Sequence, residues 1–75
     1  MSDLRVEKYR EDWAVMESSF IGKDILKAYD NKKPAVKEAR RIAKNRLGRN
    51  RLTIETSTGI VQEQVTYRNG KPIKQ

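Results

Sequence analysis

Only one stretch of this chain has the apolar spacing of a helix. Its apolar residues recur at intervals of three and four positions, which puts them on one side of a helix at 100° per residue. They are Ala35, Val36, Ala39, Ile42, Ala43 and Leu47. A short polar residue, Asp30 or Asn31, is placed to cap the start of this helix, and Gly48 suits its C-terminal cap. The spacing therefore predicts one helix from about Lys32 to Leu47.

Alternating apolar and polar residues, the period of a half-buried strand, surround this helix. Three such runs precede it, at residues Leu4–Tyr9, Asp12–Ser18 and Asp24–Tyr29. Two more lie within residues 51–67, separated by a turn at 56–59. The residues after a further Asn-Gly turn leave too little chain for a dependable strand. The order β-β-β-α-β-β predicts one α+β domain over residues 1–75, a small antiparallel sheet with one amphipathic helix packed on one face.

Catalytic and metal-binding chemistry finds little support in the composition. The chain has no Cys and no His, so the usual nucleophile and base pairs and the usual zinc ligand sets are missing. Its ten Asp and Glu residues are scattered, and no pair has both the spacing and the apolar surroundings of an acid and base couple. We therefore expect no enzymatic activity, no cofactor and no metal site.

No apolar run approaches the roughly 20 residues of a membrane-spanning helix. The N-terminal residues also lack the apolar core of a secretory signal. These features predict a soluble, cytoplasmic protein without a membrane partner.

Positive charge is concentrated in residues 32–51, which hold nine Lys or Arg residues and one acid, Glu38, in a chain of net charge +7. On a helical wheel, five of these cations fall within an arc of about 100° beside the apolar side. They are Lys33, Lys37, Arg40, Arg41 and Lys44. Arg49 and Arg51 follow the predicted helix and would extend the same track. These seven cations are the candidate nucleic-acid-binding residues.

The basic stripe is either a solvated helix face or a binding surface for an acidic partner. A solvated helix face also has to be polar, but such a face normally mixes Glu with Lys at four-residue spacing because like charges repel. The single sign of the stripe favours an acidic partner. That partner is either DNA or RNA, contacted at its phosphates with low sequence specificity, or an acidic protein surface such as that of host transcription machinery. The oligomeric state is left open, a homodimer included.

Two apolar features have alternative interpretations as well. Trp13 either belongs to the core, which is commoner for one Trp in a small domain, or forms a base-stacking platform with Val15, Tyr29 and Tyr67. Phe20 and Ile21 stand beside a glycine in a predicted loop. They either fold back on the edge of the core or form an exposed contact for a protein partner.

Three features follow one another along the chain: Trp13 and Val15, the pattern A-x-x-x-A-R-x-x-A-K at residues 35–44, and Gly59 followed by a strand that ends at Tyr67. With these features the chain resembles a small uncharacterised domain family found in YdaT-like prophage proteins and in archaeal proteins. The family implies the order of the elements and brings no catalytic residues.

Two looser likenesses concern function. The segment "KKPAVKEARRIA" after three strands looks like the second half of a double-stranded RNA-binding domain, which implies that Lys32, Lys33 and Lys37 meet phosphates. The segment "DWAVMESS", residues 12–19, is similar to a small phage inhibitor that binds host RNA polymerase through a basic strip. The two likenesses imply different partners for the same charges.

Overall fold

A computed structural model describes residues 2–19 and 21–73 as six strands and one helix. The helix, α1, spans Lys32–Lys44. The strands are β1 (Ser2–Tyr9), β2 (Asp12–Ser19), β3 (Gly22–Tyr29), β4 (Arg49–Glu55), β5 (Val61–Arg68) and β6 (Lys71–Ile73). The α+β class and the predicted order of elements are thus confirmed, and β6 is a short further strand after the Asn-Gly turn.

All six strands form one sheet in the order β3-β2-β1-β4-β5-β6. Strands β1 to β3 and strands β4 to β6 are two antiparallel meanders. A parallel pairing of β1 with β4 joins them, so the sheet is antiparallel except at its centre. Helix α1 connects β3 to β4 and packs on one side of the sheet, which we call the helix face; the opposite side is the open face.

The core lies between α1 and the helix face. Three alanines spaced four residues apart, Ala35, Ala39 and Ala43, are completely buried. Because their side chains are short, the helix backbone lies close to the central strands. The buried sheet residues beneath it are Leu4, Val6, Val15, Leu52, Ile54 and Tyr67, and Trp13, Tyr29, Val36, Ile42 and Val65 pack partly buried around them. Trp13 is therefore a residue of the core margin, as the first of its two interpretations had it.

The helix ends one turn earlier than predicted, and Leu47 is not part of the core. The backbone N–H of Asn45 donates to the carbonyls of Arg41 and Ile42, and the chain then leaves the helix through Gly48 at φ +80°. Leu47 lies in this loop and is 90% exposed. The prediction that it would be buried was wrong because its position fits the helical period only if the helix continues.

The turn between β5 and β6 is fastened to the loop after the helix. Asn69 and Gly70 both have positive φ, as a two-residue type I′ hairpin turn requires. The Asn69 side chain accepts a hydrogen bond from the Gly48 N–H (2.7 Å), and the Asn69 N–H donates to the Gly48 carbonyl (2.8 Å). A Cβ atom at Gly70 would collide with the backbone carbonyl of Lys44. The two hydrogen bonds between Gly48 and Asn69 and the close approach of Gly70 to Lys44 are together called the turn staple. They hold the hairpin against the end of α1.

The outer strand β3 is exposed along most of its length. A register shift opposite Val15 and Met16 makes Leu26 a bulged residue, and Lys23, Asp24 and Lys27 add charge to the strand. Bulges and charges are the usual devices that keep an unpaired edge strand from pairing with another chain. This edge is therefore built against strand addition.

The turn staple predicts unequal effects of alanine at two glycines of positive φ. Gly48 has open space where a Cβ would lie, so Gly48→Ala should cost only the conformational penalty of about 1–2 kcal/mol. Gly70→Ala adds a collision with the helix backbone, and we expect a total cost of about 3 kcal/mol or more. Thermal unfolding followed by circular dichroism measures both; equal losses of Tm would contradict the close contact with Lys44.

Candidate nucleic-acid interface

The outer side of α1 carries an open groove of about 760 Å³ whose walls are cationic. It faces away from the three buried alanines, because α1 places these positions on the opposite side of its axis. The groove is lined by Lys32, Lys33, Val36, Lys37, Arg40, Arg41 and Lys44. All five helical residues of the predicted stripe are thus brought together, with six cations and no acid in the lining. We call this surface the helix groove.

Three lysines of the helix groove, Lys33, Lys37 and Lys44, form no ion pair with any described residue. At 1.5 Å of rise per residue, Lys33 and Lys44 are separated by roughly 16 Å along the helix axis. A nucleic-acid strand passes about five phosphates over that length, at 3.4 Å per base pair. These lysines are therefore free to exchange a hydration shell for phosphate oxygens.

The two arginines of the groove are already engaged with carboxylates. Arg40 donates to both oxygens of Glu63 on β5, at 3.1 and 3.4 Å. Arg41 makes two hydrogen bonds of 2.7 Å to Glu38, one turn earlier on α1. Both pairs are accessible to solvent on the arginine side, so they contribute little to stability and leave unused N–H donors facing the groove.

Glu38 is the one acid within α1, and its neighbours keep it ionised. The hydrogen bonds from Arg41 lower the pKa of Glu38 to about 2, partly opposed by desolvation and assisted by the charges of Arg41 and Lys27. The Lys27 ammonium lies 3.7 Å from its carboxylate. In turn, Glu38 raises the pKa of Arg41. The carboxylate thus ties α1 to β3 beside the groove without entering it.

At the start of the groove, Lys32 is held by two contacts. Its ammonium lies 5.1 Å from the centre of the Trp13 ring and donates to the side chain of Gln62. Lys8 approaches the same ring at 5.4 Å. Trp13 therefore binds cations of its own chain. Among the described residues, no aromatic side chain lines the helix groove, which leaves base stacking without a platform there.

Arg49 and Arg51 do not extend the helix groove. Both lie in β4, where successive side chains alternate between the faces of the sheet. Leu52 and Ile54 point to the helix face, so Arg49 and Arg51 point to the open face, on the other side of the molecule. The prediction that they extend the stripe was wrong because the chain changes from helix to strand before it reaches them.

Of the two apolar residues predicted as candidates for a protein contact, only Ile21 lies within the described residues. Phe20 lies outside the described residues. Ile21 is 95% exposed, so it does not fold back on the core. Two side chains of β3, Ile25 and Leu26, are also exposed, at 51% and 38%.

Some residues of this interface gave no usable signal in the sequence. Glu63 and Gln62 reach the groove cations from β5, which is more than twenty residues away along the chain. Lys32 falls near the buried side of the helical wheel, and only the likeness to RNA-binding domains implied a role for it. Only the pairing of the strands brings such residues together.

No protein-family model, curated protein or solved structure matches this chain. No helix among the described residues is long and apolar enough to cross a membrane. Within residues 2–19 and 21–73, no group of three or more acidic side chains is placed to hold a metal ion. Function is therefore inferred from the geometry of the charged surfaces.

The low pKa of Glu38 predicts a pH-dependent effect of Glu38→Gln. A carboxylate whose pKa is lower in the folded chain stabilises the fold above its ordinary pKa, and this contribution disappears as the pH falls towards about 2. Glu38→Gln should therefore lower Tm near pH 7, and the difference from the wild type should shrink between about pH 5 and pH 2. Glu11→Gln, at an exposed turn residue without an ion pair to the described residues, is the control. A difference in Tm that stays constant over this range would contradict the pairing.

Proposed function

We propose that this chain is a non-enzymatic nucleic-acid-binding module that contacts the phosphates of a duplex through the helix groove. The observation that carries the proposal is the lining of the groove, where six cations lie together and three of them, Lys33, Lys37 and Lys44, have no ion pair with the described residues. An anion of matching length would relieve the repulsion between these cations. A duplex provides such an anion because its phosphates are regularly spaced and held on a stiff backbone.

The residue types of the groove support phosphate contact rather than the recognition of a base sequence. Arginine, asparagine and glutamine side chains read base edges by paired hydrogen bonds. In the groove, the two arginines are held by Glu38 and Glu63, and the other cations are lysines. A lysine ammonium acts as a point charge that suits a phosphate oxygen. Binding should therefore have low sequence specificity.

The salt dependence of duplex binding tests this proposal. If between four and six groove cations meet phosphates, log K should fall with log salt at a slope between about −3.6 and −5.4. Replacing Lys33 and Lys37 by Gln should make the slope less steep by about 1.8. Fluorescence anisotropy of a labelled short duplex, measured between about 50 and 200 mM salt, gives both values.

The matched control is the double substitution Arg10→Gln and Lys23→Gln. It removes the same charge from exposed positions outside the groove, and neither residue forms an ion pair with the described residues. We expect its slope to stay near the wild-type value. Equal slopes for the two double variants, or no binding of duplex DNA or RNA at low salt, would refute the proposal.

An acidic protein surface is the second candidate partner. The observation that favours it is the exposed apolar group of Ile21, Ile25 and Leu26, since protein interfaces depend on a few apolar or arginine anchors. Ile25 and Leu26 lie on β3 and Ile21 directly precedes that strand, whereas the described residues that line the helix groove lie on α1 and include Val36 as their one apolar side chain. The proposed duplex would not need the β3 side chains.

Replacing Ile21 by Ser separates the two candidates. Duplex affinity should stay within about twofold of the wild type, because phosphate contacts need only the cations. Lys37→Gln should weaken the same binding several-fold at low salt. A purified acidic protein that binds the wild type, loses affinity with Ile21→Ser and competes with the duplex would favour the second candidate.

A further inference from the structure

The open face of the sheet carries a second group of cations that the helix groove does not use. Arg49 is paired with Arg68 across β4 and β5, and Arg68 is paired with Lys71 across β5 and β6. Directly paired residues point to the same face. Tyr67 is buried on the helix face, so its neighbour Arg68, with Arg49 and Lys71, points to the open face. We call these three residues the sheet row.

The three cations of the sheet row repel one another. Strands lie about 4.8 Å apart, so the three cations occupy a width of about 10 Å. Like charges placed directly opposite each other destabilise a sheet. None of the three forms an ion pair with the described residues. Asp3 on β1 is paired with Arg51, and 4.0 Å separate their charged atoms.

The turn staple fixes the sheet row in place. Arg49 directly follows Gly48, Arg68 directly precedes Asn69, and Lys71 directly follows Gly70. The hydrogen bonds between Gly48 and Asn69 therefore set the spacing of the row. A row that projects from a fixed backbone presents its charges at a regular spacing, which favours an anion with regularly spaced charges.

The two cationic surfaces point in opposite directions. The helix groove faces outward from α1, and the sheet row faces outward from the far side of the sheet. The molecule measures 19 Å along its shortest axis, and a straight duplex that lies along one surface is separated from the other by the whole protein. From this geometry we infer that one molecule binds two duplexes at once and so bridges nucleic-acid segments. The inference rests on the proposed function, since the groove is the first of the two sites.

Energy transfer between two short duplexes, one labelled with a donor and one with an acceptor, tests the bridge. Wild-type protein should bring the two labels together at protein concentrations well below those of the duplexes, and high salt should reverse the signal. Replacing Arg49 and Arg68 by Gln should abolish most of the transfer. Anisotropy should show that the same variant still binds one duplex through the groove.

The control is again Arg10→Gln with Lys23→Gln, which removes equal charge and should retain the transfer. Thermal unfolding provides a second readout. Because the row repels itself, replacing Arg49 and Arg68 should leave Tm unchanged or raise it at low salt, and the gain should vanish at high salt.

The outcomes separate this inference from the proposed function. Absence of all binding would refute both. Binding without energy transfer would refute the bridge alone. Transfer that survives the loss of Arg49 and Arg68 would also refute it, because the bridge would then arise from association between protein molecules. A less steep salt slope for one duplex in that variant, without transfer in the wild type, would show that a single duplex occupies both surfaces.

Discussion

The helix of this protein meets the sheet through three alanine side chains, and the position of every charged surface depends on that contact. Ala35, Ala39 and Ala43 end at Cβ, so α1 lies low on the central strands. At this height the carbonyl of Lys44 touches Gly70, and the β5–β6 turn can be fastened to the loop after the helix. Larger side chains would lift the helix and break that contact. The low helix therefore fixes both the groove on its outer side and the sheet row on the far side.

Periodicity in the sequence was a good guide to elements because burial on one side imposes it. The buried alanines and the alternating strands were predicted from spacing alone, and the structure confirms the class and the order of the elements. The parallel pairing of β1 with β4 was not predicted, because a strand's alternation says which face is buried and not which strand lies beside it. Leu47 shows a related limit, since it has the right spacing in a chain that has already left the helix.

Helical periodicity also made part of the candidate site predictable. A helical wheel is enough to place Lys33, Lys37 and Lys44 on one outer side. It gives no means of knowing that Arg40 meets Glu63, because that pair depends on how β5 lies beside the helix. It also fails for Arg49 and Arg51, which lie beyond the end of the helix. A change from helix to strand changes the period from 3.6 to 2, so residues close in sequence end on opposite faces.

The acids of the described residues form ion pairs with some of the cations and not with others. Three of the acids that form ion pairs join separate elements: Glu63 binds Arg40 between β5 and α1, Glu17 binds Arg46 between β2 and the loop after α1, and Glu55 binds Arg5 between β4 and β1. Each of these pairs links one element to another, although the exposed Arg40–Glu63 pair adds little to stability.

Six of the cations without an ion pair to the described residues lie in two groups. Lys33, Lys37 and Lys44 line the helix groove, and Arg49, Arg68 and Lys71 form the sheet row. Each of the two sets is a group of like charges whose repulsion a small domain has to overcome with a limited core. Charge kept at such positions opposes folding, whereas a bound polyanion turns the same repulsion into attraction. The separation between paired and unpaired cations therefore lets neutral substitutions in the groove and the row test ligand binding without removing the contacts that hold the fold.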